Sequence, residues 1–282
     1  MIDTLILSGG GPAGIAYVGI FKSLLENKVF HRNEIKEVIS TSVGIIFAIL
    51  YLLEFSAEQM EKIILETDLE DIFNMNNLEI DNLLVNYGLF NNQLIGESIN
   101  ILCKHKIGKE NITLKELYDI IPIKLSVKVY NVTLGKTEYI SYENEPDLQI
   151  GVLAMITTAI PFLFQPISFK GHLYIDGGIK GHFPIEYCNS ENYLGILIES
   201  GTCNPCNFKI IETFPILGFI ISLMSARDNY LEKYDKDKIM IIPVNLGFNF
   251  SLNKDKKIEI INFAYNKCIE FLDKSPKVTH LR

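Results

Sequence analysis

The sequence predicts an α/β fold built on a mainly parallel sheet, and two stretches near its start carry that expectation. Thr4–Leu7 is a short apolar run ending in Ser8-Gly9-Gly10-Gly11, as a strand entering a tight loop would. Gly14–Glu26 then shows helical spacing through Ile15, Val18, Gly19, Lys22 and Leu25. Val38-Ile39 is a second apolar run that meets Ser40-Thr41-Ser42-Val43-Gly44 and leads into an apolar helix, Ile45–Leu53. Strand, turn and helix thus occur twice in the first 55 residues, the pattern of parallel βαβ units.

The later elements follow in order. Residues 56–120 read as mostly helical and more polar, rich in Asn, Glu and Lys. Lys124–Asn131 alternates Leu125, Val127 and Val129 with polar residues, and with Thr137–Tyr142 it predicts a pair of strands. Gly151–Thr158 predicts a helix stopped before Pro161. Leu173–Ile175 is a short strand ending at Asp176-Gly177-Gly178, and Tyr193–Ile198 and Lys238–Val244 are further strands. Asp255–Leu272 places Ile258, Ile261, Phe263, Ala264, Cys268, Ile269 and Leu272 on or near one helix face. No linker divides the chain, so one domain over residues 1–282 is expected.

Composition narrows the function. With 282 residues, 48% apolar and 21% charged, the chain can bury a sizeable core, which excludes a disordered, collagen-like or disulfide-scaffold protein. A net charge of −8 argues against nucleic acid as a partner and against attraction to anionic lipid, so membrane contact must use apolar surface. Five cysteines are scattered, and Cys203 and Cys206 form a lone CxxC without a second pair, so neither a disulfide framework nor a metal site is expected. The N-terminus lacks a signal-peptide pattern and no apolar run reaches about 18 residues. The expectation is a soluble intracellular protein, cytoplasmic or peripheral on membranes. Ile45–Phe55 and Phe214–Met224 are the longest apolar stretches, each a buried helix or an interfacial segment; Phe214–Met224 is the candidate for transient membrane-surface contact.

Four constellations could carry chemistry. Gly9-Gly10-Gly11-Pro12-Ala13-Gly14 fits GxGxxG between strand and helix, where backbone N–H groups and the helix N-terminus can hold a phosphate or an oxyanion. A dinucleotide site would want a carboxylate at the end of the second strand, and Ser40-Thr41-Ser42 offers none. Ser40-Thr41-Ser42-Val43-Gly44 is either a nucleophile elbow or a helix N-cap. Asp176-Gly177-Gly178 is either a strand-end carboxylate facing a ligand crevice or a plain Asp-Gly turn. Thr158–Pro166 holds two prolines, which exclude a continuous helix and suggest a loop lining an apolar pocket or simple core packing. If the glycine loop, the serine and the aspartate all follow strands of one parallel sheet, all three share one sheet edge. A nucleophile, a base and an oxyanion hole are the parts of acyl transfer.

Those motifs, in that order, resemble the patatin-like phospholipases. The resemblance rests on Leu7-Ser8-Gly9-Gly10-Gly11-Pro12-Ala13-Gly14, Ser40-Thr41-Ser42-Val43-Gly44, Ala159-Ile160-Pro161 and Asp176-Gly177-Gly178. It spans about residues 4–187, with 188–282 completing the fold through a late strand and the amphipathic helix. It implies a three-layer α/β/α architecture and a serine–aspartate dyad with no catalytic histidine and no cofactor. Ser42 would be the nucleophile, Asp176 the base, and the amides of Gly9, Gly10 and Gly11 the oxyanion hole. Gly44, Gly177 and Gly178 would support the two turns. The implied substrates are phospholipids or acylglycerols; the alternative is a non-catalytic lipid-binding or scaffold protein on the same fold. The sequence departs from the family at Ser40, where the elbow usually has glycine, at Ala13, where many members carry Lys or Arg, and at His182, a position often held by Asn. A conventional triad would need another histidine near Ser42, and His172 is the one to examine.

Overall fold

The computed structural model describes residues 1–72, 80–199, 230–246 and 249–275. The apolar stretch 214–224 and the pair Cys203 and Cys206 lie outside the described residues. The described strands are β1 (Thr4–Leu7), β2 (Glu37–Thr41), β3 (Gly88–Phe90), β4 (Lys124–Asn131), β5 (Lys136–Ile140), β6 (Phe162–Phe164), β7 (Ile167–Phe169), β8 (His172–Asp176), β9 (Tyr193–Glu199) and β10 (Ile239–Pro243). The helices are α1 (Ala16–Glu26), α2 (Gly44–Leu52), α3 (Ala57–Glu66), α4 (Ile80–Val85), α5 (Gln93–Ile107), α6 (Leu114–Ile120), α7 (Ile150–Thr157) and α8 (Lys254–Lys274).

The main sheet runs β10-β9-β1-β2-β4-β8-β7, with β5 also paired to β4; β3 and β6 form a separate parallel pair. From β10 to β4 every pairing is parallel. The mixed α/β architecture, a central and mainly parallel sheet flanked by helices, is the predicted one. Strands covered on both faces read as continuous apolar runs, which is why β1 and β9 are so plain in the sequence: all four residues of β1 are buried, as are Leu194 through Ile198. Every residue of α2 except Ile46 is buried, so its apolar character extends all the way round. α8 crosses α1 at Gly19, where an added Cβ would come within 2.0 Å of the Ile261 carbonyl oxygen. At the rim of that crossing the Tyr265 hydroxyl donates to Glu26 at 2.8 Å.

Two expectations need correction. Residues 162–164, expected in a loop, form β6: the prolines exclude helix, but they flank a strand whose partner, β3, lies more than 70 residues earlier. β8, expected in the parallel set, is antiparallel to β4. Its place follows from which edge of β4 is free. β5 occupies one edge of β4 from Val127 to Asn131, and β2 occupies the other from Lys124 to Lys128. β8 pairs with residues Val129 to Asn131, so it must take the β2 edge just where β2 stops. Thr41 is opposite Lys128 and Asp176 is opposite Val129. β2 and β8 therefore meet head to head, their C-terminal ends in adjacent slots of one strand.

Candidate active site

That meeting point is where the candidate residues of the sequence gather. β2 ends at Thr41, the chain turns at Ser42, and α2 begins at Gly44. Ser42 has φ +53°, a left-handed conformation that costs a non-glycine residue free energy and that the surroundings must enforce. Its N–H donates to Thr157 Oγ1 at 2.9 Å and its carbonyl accepts from the Ile45 N–H at 3.0 Å. No side-chain cap closes the N-terminus of α2, so the turn acts as an elbow and not as a Ser/Thr N-cap. Gly44 is required by packing: a Cβ there would lie 2.7 Å from the Ser8 carbonyl oxygen and 2.9 Å from that of Leu7. Ser40 is different. It lies inside β2 with no positive φ and is fully buried, its hydroxyl without a hydrogen-bond partner among the described residues. The backbone at position 40 thus makes no demand that only glycine could meet.

Asp176 closes β8 and is 5% exposed. Its N–H donates to the Ala159 carbonyl at 2.9 Å, and its Oδ1 accepts from the Gly178 N–H at 2.7 Å, which fixes one carboxylate oxygen within the turn. Gly177 packs as tightly as Gly44, since a Cβ would sit 2.5 Å from the Lys128 carbonyl oxygen. The loop after β1 covers both turns. A Cβ on Gly9 would come within 3.0 Å of the Ser42 Cβ and 3.3 Å of the His182 Cβ. Ser8 secures the loop from below: its hydroxyl donates to the Gly9 carbonyl and accepts from the Ile198 N–H, and the Tyr17 hydroxyl donates to the Ser8 carbonyl at 2.8 Å. Burial pushes the Tyr17 phenol well above its ordinary pKa, keeping it a donor.

The three loop glycines have different duties. The Gly9 N–H donates to the His182 carbonyl at 2.7 Å. Gly11, with φ +54°, opens a short helical turn, and no hydrogen bond joins the N–H of Gly10 or Gly11 to another described residue. Ala13 is fully buried. His182 holds the Gly9 amide with its main chain and lies 3.1 Å from the Ile198 carbonyl through Nε2, so it ties the aspartate turn to the glycine loop and to β9. His172 begins β8 four residues before Asp176 and packs edge-on to Tyr174. At about 3.3 Å per strand residue the two Cα atoms are roughly 13 Å apart, too far for the pair to share a triad.

Beside Ser42 opens an apolar pocket of about 90 Å³, lined by Gly11, Pro12, Ile15, Val43, Ile46, Phe47, Ile64, Leu69, Ile95, Thr158, Ile160, Phe164 and Phe250. Ile160 and Phe164 belong to the two-proline segment, which therefore lines a pocket as the sequence suggests. Thr157 and the lining residues Ile64, Leu69, Ile95 and Phe250 carried no sequence signal, because only the tertiary fold brings them here. Among the described residues no group of three or more His, Cys, Asp or Glu side chains gathers as a metal site would, and no helix is long and apolar enough to cross a membrane.

The description "Patatin-like phospholipase" matches residues 5–188, more than half of the chain. The chain belongs to the patatin-like phospholipase family. As a family member it is a lipid esterase. It is 26% identical over 267 residues to the uncharacterized protein R571 of Acanthamoeba polyphaga mimivirus, covering 90% of this chain and 88% of that protein. It is 29% identical over 193 residues to the probable lipid hydrolase 463L of Invertebrate iridescent virus 6, covering 67% of this chain and 65% of that one. The fold matches VipD of Legionella pneumophila with a TM-score of 0.70 at 17% identity, over 97% of this chain and 67% of VipD. It matches ExoU, solved with SpcU of Pseudomonas aeruginosa, with a TM-score of 0.56 at 16% identity, over 98% of this chain and 52% of that one. This patatin-like chain thus spans about half the length of the ExoU structure.

Proposed function

We propose that this patatin-like protein hydrolyses carboxylic ester bonds of phospholipids or related acylglycerols through a Ser42–Asp176 dyad and an acyl-enzyme intermediate. The observation that supports the reading most directly is the head-to-head register of β2 and β8, which brings the C-terminal ends of the two strands together on one edge of β4. Ser42 Oγ attacks the ester carbonyl while its proton passes to Asp176. The carbonyl oxygen becomes an oxyanion against the glycine loop. Gly10 and Gly11 are the donors in this scheme, because the Gly9 N–H is given to His182; Gly9 contributes the close approach that a side chain would block. The proton moves on to the departing alcohol or lysolipid oxygen. Asp176 then takes a proton from water, which attacks the acyl-serine, and returns it to Ser42 Oγ as the fatty acid leaves. The apolar pocket beside Ser42 receives the start of the acyl chain. Gly44, Gly177 and Gly178 hold the two turns, and no cofactor takes part. The apolar stretch 214–224 is assigned to transient contact with the lipid surface.

A fluorophosphonate probe should label the wild type and leave Ser42→Ala unlabelled. Acyl release should fall roughly 10⁴-fold or more in Ser42→Ala and at least about 10³-fold in Asp176→Asn, with circular dichroism unchanged. Substantial turnover by a folded Asp176→Asn protein would remove the dyad. A panel of phospholipids and acylglycerols with identified products defines the substrate, and loss of vesicle sedimentation in Ile220→Asp tests the surface contact.

A further inference from the structure

The mechanism uses neither Lys128 nor Thr157, yet both are buried beside it. Lys128 is 1% exposed and sits on β4 where the C-terminal ends of β2 and β8 meet. A buried ammonium is tolerated only when its donors are satisfied, and this one is engaged three times. Its Nζ donates to the Lys180 carbonyl at 3.0 Å and the Gly181 carbonyl at 2.9 Å, and pairs with Glu186 Oε1. The Tyr139 hydroxyl donates to that same oxygen at 2.7 Å. Lys180 and Gly181 end the turn that Asp176 begins, and the Gly181 N–H closes it onto the Gly178 carbonyl at 3.0 Å. The main chain of Lys128 works toward the other turn. Its carbonyl accepts from Thr157 Oγ1 at 2.8 Å, and that hydroxyl oxygen accepts the Ser42 N–H at 2.9 Å.

We propose that Lys128 is a positioning residue that sets the separation of the two turns, holding the Asp176 turn through its ammonium and the Ser42 turn through its carbonyl and the Thr157 hydroxyl. The proposal rests on the dyad reading. The strands that carry the two turns do not pair with each other; β4, which pairs with both, registers their main chains, and each turn beyond its strand end still has to be held. Lys128 touches both from a central strand. Glu186 is half-exposed, so removing the ammonium leaves its carboxylate in contact with water. Stability and activity are then expected to part company, which a merely structural lysine would not produce.

The test compares Lys128→Met, Thr157→Val and Thr157→Ser with the wild type and with Asp176→Asn, reading kcat, KM, the rate of fluorophosphonate labelling and Tm. Lys128→Met and Thr157→Val should each lower kcat by about 100-fold, the scale set by small misplacement of reacting groups, with KM within about twofold. Labelling should slow in parallel, and Thr157→Ser, which keeps the hydroxyl, should restore kcat. Should Lys128→Met fail to fold, Glu186→Gln, which weakens the hold on the ammonium, and the Thr157 pair carry the same comparison. Wild-type kcat in folded Lys128→Met (or in Glu186→Gln, if that is the variant that folds) and in Thr157→Val, with Asp176→Asn inactive, overturns this proposal alone. An active Asp176→Asn overturns the dyad and this proposal with it.

Discussion

On the parallel side of the sheet, Ser42 emerges from β2 as the chain turns into a buried helix, and the covalent parts of the device are local: strand, left-handed residue, glycine two positions on. On the antiparallel side, Asp176 reaches the same place by a route with no local logic. Its strand arrives from the opposite direction and stops where β2 has already stopped, because β4 is long enough to pair with both in succession. The first turn is encoded in seven consecutive residues, and the second depends on a register between strands some 45 residues apart. A parallel sheet supplies a crevice at its C-terminal edge; here an antiparallel strand fills the end of that crevice and delivers the acid from within the sheet plane.

The largest expected effects come from crowding either turn. Gly177→Ala would put a methyl 2.5 Å from the Lys128 carbonyl oxygen, and Gly44→Ala one 2.7 Å from that of Ser8. Each should lower stability by about 1–3 kcal/mol, the range for overpacking, and remove most turnover. Urea denaturation with kcat on the same samples checks both, and a Gly177→Ala protein with wild-type kcat would break the account of the antiparallel side. Smaller effects are expected at Ser40. Restoring the family's usual glycine puts glycine inside a strand, so Ser40→Gly should be about 0.5–1 kcal/mol less stable than Ser40→Ala. Both should keep wild-type kcat, and a kcat gain in Ser40→Gly would show that the elbow is strained after all. The smallest effect belongs to the far end of β8. His172→Gln should leave the pH–rate profile and kcat unchanged; a shifted profile would bring histidine back into the chemistry.

Much of the site was legible because parallel βα units concentrate their information in short stretches. The run Thr4–Leu7 with its glycines, and Val38-Ile39 with Ser42 and Gly44, announce two strand ends facing one crevice. The Asp176-Gly177-Gly178 turn is visible as a turn, but the direction of its strand is not, since three apolar residues carry no sign of parallel or antiparallel pairing. β6 is hidden for a similar reason: Phe162–Phe164 is too short for period-2 alternation to register against the flanking prolines.

By itself the sequence determined the strand–turn–helix order, the glycines that permit close backbone approach, and which turns carry a serine and an aspartate. Those are properties of neighbouring residues, and sterics within a few bonds fix them. The tertiary structure alone decided that β2 and β8 meet end to end, that Gly9 gives its N–H to His182, and that Thr157 and Lys128 lie between the two turns. Those depend on which edge of β4 is free and where, and hydrogen bonds between residues far apart along the chain are settled only when the sheet has closed around them.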